Sequence, residues 1–129
     1  MILETSFVID FLRGKENAKS KMDFLISQNI LLEIVAPTVF ELYAGIIQLG
    51  KSEEEIQKIT SLLKGFSFYP LDEESARIAG IIDGKLIKNG LKISAEDSMI
   101  AGIAIKNNKK VLTRDEHFKR IEGLKIESY

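Results

Sequence analysis

The segment Ser94-Ala95-Glu96-Asp97-Ser98-Met99-Ile100-Ala101-Gly102-Ile103-Ala104-Ile105 leads through a basic turn into Lys109-Lys110-Val111-Leu112-Thr113-Arg114-Asp115-Glu116-His117. Ser94 is a good N-cap, and Asp97 follows three residues later, where the positive end of a helix favours an acid. From Met99 to Ile105 only apolar or small residues occur, which predicts a helix buried on most sides. Val111-Leu112 predicts a short buried strand with Asp115 just beyond it. Asp97 and Asp115 are thus placed at element ends, outside the apolar body between them.

The flanking chain repeats this pattern. Met1–Leu3 is a short strand ending at Glu4-Thr5-Ser6, and Phe7–Leu12 a short helix stopped near Gly14. Ala18–Ser27 is a second helix, and β-branched Ile30–Ala36 is a strand closed by Pro37. Thr38-Val39-Phe40-Glu41 has the form of a capping box, opening a helix that runs to Gly50. Ser52 opens a helix with Ile56, Ile59, Leu62 and Leu63 inward. Phe66–Pro70 is a strand, and Asp72 caps a helix with Ala76, Ala79, Ile82 and Leu86 inward. Leu124–Ser128 is a final strand. Strands alternating with helices predict a three-layer α/β/α sandwich around a mainly parallel sheet, as a single domain over residues 1–129.

With 129 residues, 45% apolar and 29% charged, the composition is that of a globular protein with one core. A net charge of −1 argues against nonspecific coating of polyanions, which needs many Lys and Arg contacts to phosphate. The absence of cysteine excludes disulfides and thiolate metal sites. No apolar run is long enough for a membrane span and no basic leader precedes Ile2-Leu3, so a cytoplasmic protein is expected.

Ligands of open parallel sheets bind outside the carboxyl ends of the strands. Glu4 and Asp115 fall there directly. Glu41 and Asp97 are expected in the first turns of helices that begin at the same edge. Crowded carboxylates repel unless protonated or met by cations, and hard oxygen donors suit Mg²⁺ or Mn²⁺. The chemistry matched to this set is metal-dependent hydrolysis of a phosphodiester. Capping is the competing use of Glu41 and Asp97, and turn formation that of Asp115; the four together favour the functional reading. Arg13 and Arg114 lie near the edge, to meet phosphate or to pair with acids. His117 is expected at the surface. Asp10, Asp23, Asp72 and Asp83 are expected on solvated faces or at caps, and the Lys106–Lys110 turn in solvent.

The pieces Ile2-Leu3-Glu4-Thr5-Ser6-Phe7-Val8-Ile9-Asp10-Phe11-Leu12-Arg13-Gly14, Pro37-Thr38-Val39-Phe40-Glu41-Leu42-Tyr43-Ala44-Gly45, Asp97-Ser98-Met99-Ile100-Ala101 and Val111-Leu112-Thr113-Arg114-Asp115 together resemble PIN-domain proteins of the VapC toxin type. The resemblance covers essentially the whole chain. It implies a Mg²⁺- or Mn²⁺-dependent ribonuclease, homodimeric and inhibited by a cognate antitoxin, with RNA as substrate. It carries the family's acidic positions onto Glu4, Glu41, Asp97 and Asp115, its orienting hydroxyl onto Ser6, and a second hydroxyl onto Thr113. The family usually has Asp where this chain has Glu4, one methylene longer. That difference leaves an alternative: a catalytically compromised module acting through dimerisation or antitoxin binding.

Overall fold

In the computed structural model, which describes residues 1–129, five strands form one sheet in the order β3-β2-β1-β4-β5, every neighbouring pair parallel. The strands are β1 Ile2–Leu3, β2 Glu33–Val35, β3 Ser67–Tyr69, β4 Lys110–Leu112 and β5 Lys125–Glu127. The helices are α1 Thr5–Leu12, α2 Glu16–Ser27, α3 Ala36–Gln48, α4 Glu53–Leu63, α5 Glu73–Lys88 and α6 Ala95–Lys106, with a 3₁₀ turn at Glu116–Arg120.

Alternation along the strands builds two cores, one on each face of the sheet. Ile2, Val35 and Val111 pack with Leu86, Ile100, Ile103 and Phe118 under α5, α6 and the 3₁₀ turn. Leu3, Ile34 and Leu112 pack with Phe7, Val8, Leu25, Leu42, Ile46 and Ile59 under α1 to α4. The three-layer expectation therefore holds. No helix is long and apolar enough to cross a membrane.

Three helix starts follow the sequence reading. Ser52 and Glu55 complete a capping box at α4, and Asp72 with Ser75 completes one at α5. The Ser94 hydroxyl accepts the Asp97 N–H at 3.0 Å to open α6. Along α5, however, Ala76 is exposed and Ser75 takes the buried position.

The expected Thr38 cap does not form. α3 starts three residues earlier, with Val35 in the cap position, Ala36 as its first residue and Pro37 in its first turn, where a missing N–H costs nothing. Thr38 lies inside the helix, fully buried, and its Oγ1 has no hydrogen-bond partner. Glu41 is consequently in the second turn rather than the first, and capping is not its role.

The Ile30–Ala36 strand is shorter than its β-branched composition suggests. Asn29, at φ +54°, closes α2, and the Ile30 N–H is spent on the Leu25 carbonyl at 3.0 Å. Strand pairing begins only at Glu33, opposite Ile2 and Ser67.

The Lys106–Lys110 turn is not simply solvated. Lys109 Nζ lies 2.6 Å from Glu33 Oε1, Lys106 pairs with Asp72, and Lys110 meets Glu127 at 2.9 Å. Glu33 is wholly buried and also receives the Met1 ammonium at 2.8 Å and the Tyr69 hydroxyl at 3.2 Å. Burial opposes its charge, but these donors outweigh it and hold its carboxyl below the usual glutamate range.

Candidate active site

β1 and β4 lie side by side, Leu3 opposite Leu112, and the Glu4 N–H extends the ladder to the Leu112 carbonyl at 3.1 Å. From β1 the chain crosses to β2 on one side, while β4 lies on the other, so their carboxyl ends flank the point where strand order reverses. Glu4 leaves β1 there, and Thr113 to Asp115 leave β4. Ladder geometry thus brings residues 4 and 113 together across 109 positions of sequence.

Glu4 is 5% exposed and N-caps α1. Its Oε1 accepts the Ser6 N–H at 2.9 Å; its Oε2 accepts the Thr113 hydroxyl at 2.9 Å and, at short range, the Ser6 hydroxyl. The hydroxyl expected to orient the acids and its companion therefore both bond the same carboxylate. Thr113 Oγ1 also accepts the Asp115 N–H at 2.9 Å, which fixes the bend after β4. Asp115 Oδ1 accepts the His117 N–H at 2.8 Å, with His117 Nδ1 3.3 Å away, so Asp115 caps the 3₁₀ turn as well as facing the site. His117 is on the surface, as expected.

Thr5 is a site contact that sequence reading missed. Its hydroxyl donates to Glu41 Oε2 at 2.5 Å. The available signal was its place between Glu4 and Ser6 at a strand end.

Two of the four acids, Glu41 and Asp97, feel the charge of their neighbours. Burial pushes Glu41 up; the Thr5 bond opposes that, and the negative charges of Asp97, Glu4 and Glu96 add to it. Burial likewise raises Asp97 from 3.8 to about 6, with Glu4 and Asp115 reinforcing the shift and Ser94 and His117 opposing it. Glu96 is a fifth acid in this field, also absent from the sequence reading although it adjoins Asp97.

By donor chemistry this all-oxygen, mutually repelling set fits a hard divalent cation. No group of three Asp, Glu or His side chains is arranged to hold one as the side chains now stand. The acids share an edge without forming a closed cage.

The two candidate arginines part company. Arg114 Nε binds Asp10 Oδ2 at 2.9 Å and its Nη2 reaches Oδ1 at 3.4 Å. Arg114 is thus ion-paired, and to Asp10 rather than to any of the four acids. Asp10, expected in solvent or at a cap, is 1% exposed, because Lys15, Arg114 and Tyr129 enclose it. Asp83, expected in solvent too, accepts the Ser98 hydroxyl at 3.0 Å and ties α5 to the start of α6. Arg13 lines a groove of about 550 Å³ between α1, α3 and α4 that includes Glu41, Lys51 and Lys58.

Comparison with known proteins agrees with this fold. The PIN domain family pattern matches residues 1–124. Ribonuclease VapC3 of Methanocaldococcus jannaschii is 35% identical over 102 residues, 79% of this chain and 95% of that protein. Ribonuclease VapC5 of Mycobacterium tuberculosis is 23% identical over 124 residues, 95% of this chain and 87% of that one. The crystal structure of VapBC2 from Rickettsia felis, bound to a DNA fragment from their promoter, superimposes with a TM-score of 0.88 at 23% identity, covering 99% of this chain and 97% of that one. A reversal of strand order with acids at its carboxyl edge, and a family pattern running from the first strand to residue 124, lead to one assignment: the chain belongs to the PIN-domain family.

Proposed function

We propose that this chain is a Mg²⁺- or Mn²⁺-dependent endoribonuclease, the toxin of a toxin–antitoxin pair. The observation that carries the reading is the gathering of Glu4, Glu41, Asp97 and Asp115 from four separate segments, close enough that neighbouring acids help to push Glu41 and Asp97 upward. Membership of the PIN-domain family and the ribonuclease names of two relatives support it.

In this reading the four carboxylates hold the cation, and Ser6 and Thr113 fix Glu4 in place. When bound, the metal supplies charge neutralisation at phosphate and a water of lowered pKa. The chain's own part is to keep the acids at one edge, to give up the proton of Asp97 near pH 6, and to place Arg13 along the groove that reaches Glu41. Arg114, half exposed, is engaged by Asp10, which leaves Arg13 as the candidate arginine for phosphate. A cognate antitoxin as partner, a homodimer and a cytoplasmic setting complete the proposal, from the resemblance to VapC toxins.

RNA cleavage should require Mn²⁺ or Mg²⁺ and stop in EDTA, and Asp97→Asn should abolish it. An Asp97→Asn protein as active as the parent would count decisively against the nuclease.

One observation favours a second reading. Glu4 already receives three donors, two of them on Oε2, which leaves its carboxylate little to offer a cation. The same fold would then act only as a binding module. Glu4→Asp separates the two readings: a large gain in cleavage identifies an impaired enzyme, and no cleavage in either protein identifies the module.

A further inference from the structure

Outside the four acids, the molecule's most enclosed charge near the site is Asp10 of α1. It receives Lys15 Nζ at 2.8 Å, Arg114 Nε at 2.9 Å, Arg114 Nη2 at 3.4 Å and the Tyr129 hydroxyl at 3.1 Å. Burial opposes its charge, and these partners outweigh burial to keep it ionised. A buried ion cluster of this kind is often only a compensated charge. Here the identity of one partner matters. Arg114 stands between Thr113, which bonds Glu4, and Asp115, whose N–H bonds Thr113. The two forked contacts from Arg114 to Asp10 therefore fasten the middle of a bend whose ends are both site residues.

We propose that Asp10 is a positioning residue for the acidic site, holding the Thr113–Asp115 bend in register with Glu4 through Arg114. This rests on the nuclease reading above. α1 then supports the site at both ends: at its start Glu4 is one of the acids and Thr5 and Ser6 bond Glu41 and Glu4 directly, and Asp10 in its last turn sets the opposite wall through the guanidinium. The Tyr129 ring, edge-on to Phe7 at 4.8 Å, holds the hydroxyl that completes the enclosure. Without Asp10 the guanidinium is free to swing to solvent, and the middle of the bend loses its anchor while Thr113 and Asp115 keep theirs at its two ends.

The test uses Asp10→Asn, Arg114→Gln and the double variant, assayed for RNA cleavage in Mn²⁺ and for amide hydrogen exchange by NMR. Each single change should lower kcat by about 10- to 100-fold, the cost of a misplacement of the order of an ångström. KM should move far less, whereas loss of a phosphate contact at Arg114 would raise KM. The double variant should be no worse than the worse single one, because both residues act through one contact. The Asp115 amide should exchange faster while those of Ile100 to Ala104 in α6 stay as in the parent.

A folded Asp10→Asn protein with parental kcat overturns the proposal. So do losses that multiply in the double variant, or exchange that quickens uniformly along the chain. Should Asp10→Asn fail to fold, Arg114→Gln, altering a half-exposed side chain, decides the same points. Cleavage by neither the parent nor Glu4→Asp removes the nuclease reading instead, and the exchange comparison still tests whether Asp10 holds the bend.

Discussion

Replacing Asp97 by Asn should make the metal-free protein more stable while destroying its cleavage. Burial and the charges of Glu4 and Asp115 raise the Asp97 carboxyl from 3.8 to about 6. The raised value means that the folded state holds the proton more tightly than the unfolded chain. Between pH 4 and 6 the folded form binds more protons, so stability falls as pH rises and the full penalty applies above pH 6. A shift of that size corresponds to about 3 kcal/mol. Asparagine escapes the penalty but loses a negative charge in the first turn of α6, worth about 0.3–1 kcal/mol. Electrostatic relief is the larger effect, leaving a net gain of about 2 kcal/mol, or roughly 6–10 °C for a chain of this length. The assay is thermal unfolding of parent and Asp97→Asn in EDTA from pH 4 to 8. The variant's advantage should be near zero or slightly negative at pH 4, grow through pH 6 and level off. An advantage that is absent at pH 8, or equally large at pH 4, refutes the reasoning.

Mn²⁺ binding by the parent, followed by titration calorimetry in buffers of different ionisation heat, should strengthen up to tenfold per pH unit below about pH 6 and then flatten, with release of about one proton per ion as Asp97 ionises. Gly102→Ala should cost about 3 kcal/mol in urea unfolding, because its Cβ would collide with the Ser75 carbonyl oxygen and lie 2.9 Å from the Ala79 Cβ, where α5 and α6 meet. Glu33→Gln should cost about 3–5 kcal/mol at pH 7 by stranding Lys109 and the Met1 ammonium. Since the Glu33 carboxyl is held below 4.5, that difference should shrink as the parent is acidified below this value; a constant difference would deny the ion cluster its role.

The legible parts of this fold were those encoded by neighbours in sequence. Ser52, Asp72 and Ser94 start helices by bonding backbone within three residues, so their identity and spacing are sufficient. Thr38 misled because Thr-x-x-Glu also arises inside a helix, and the true start was marked by Pro37, a residue equally able to close a strand. The acids at the edge were legible for the same local reason: each stands at or near the end of an apolar strand or the start of a helix. Asp10 and Glu33 were not. Their cationic partners lie as many as 104 and 76 positions away, at Arg114 and Lys109, and no local pattern announces which buried charge meets which cation. The one available hint was Asp10 itself, set between Ile9 and Phe11 where a solvated face would show more polar neighbours.

The same contrast divides the site. Glu4 is compensated: a backbone N–H and two hydroxyls meet its oxygens, and its longer stem still leaves it capping α1. Glu41 and Asp97 are under-compensated, one bonded by Thr5 and the other facing two carboxylates, and both are pushed upward. A cation placed among them would therefore gain most from Glu41 and Asp97, whose repulsion it removes. It would gain least from Glu4, where each carboxylate oxygen has about two acceptor positions and Oε2 is already used twice. Only Oε1 keeps a position free. Glutamate at position 4 would thus leave little for a cation, with Ser6 and Thr113 engaging its other oxygen, and the affinity of a cation would be set on the opposite wall, by Glu41 of α3 and Asp97 of α6.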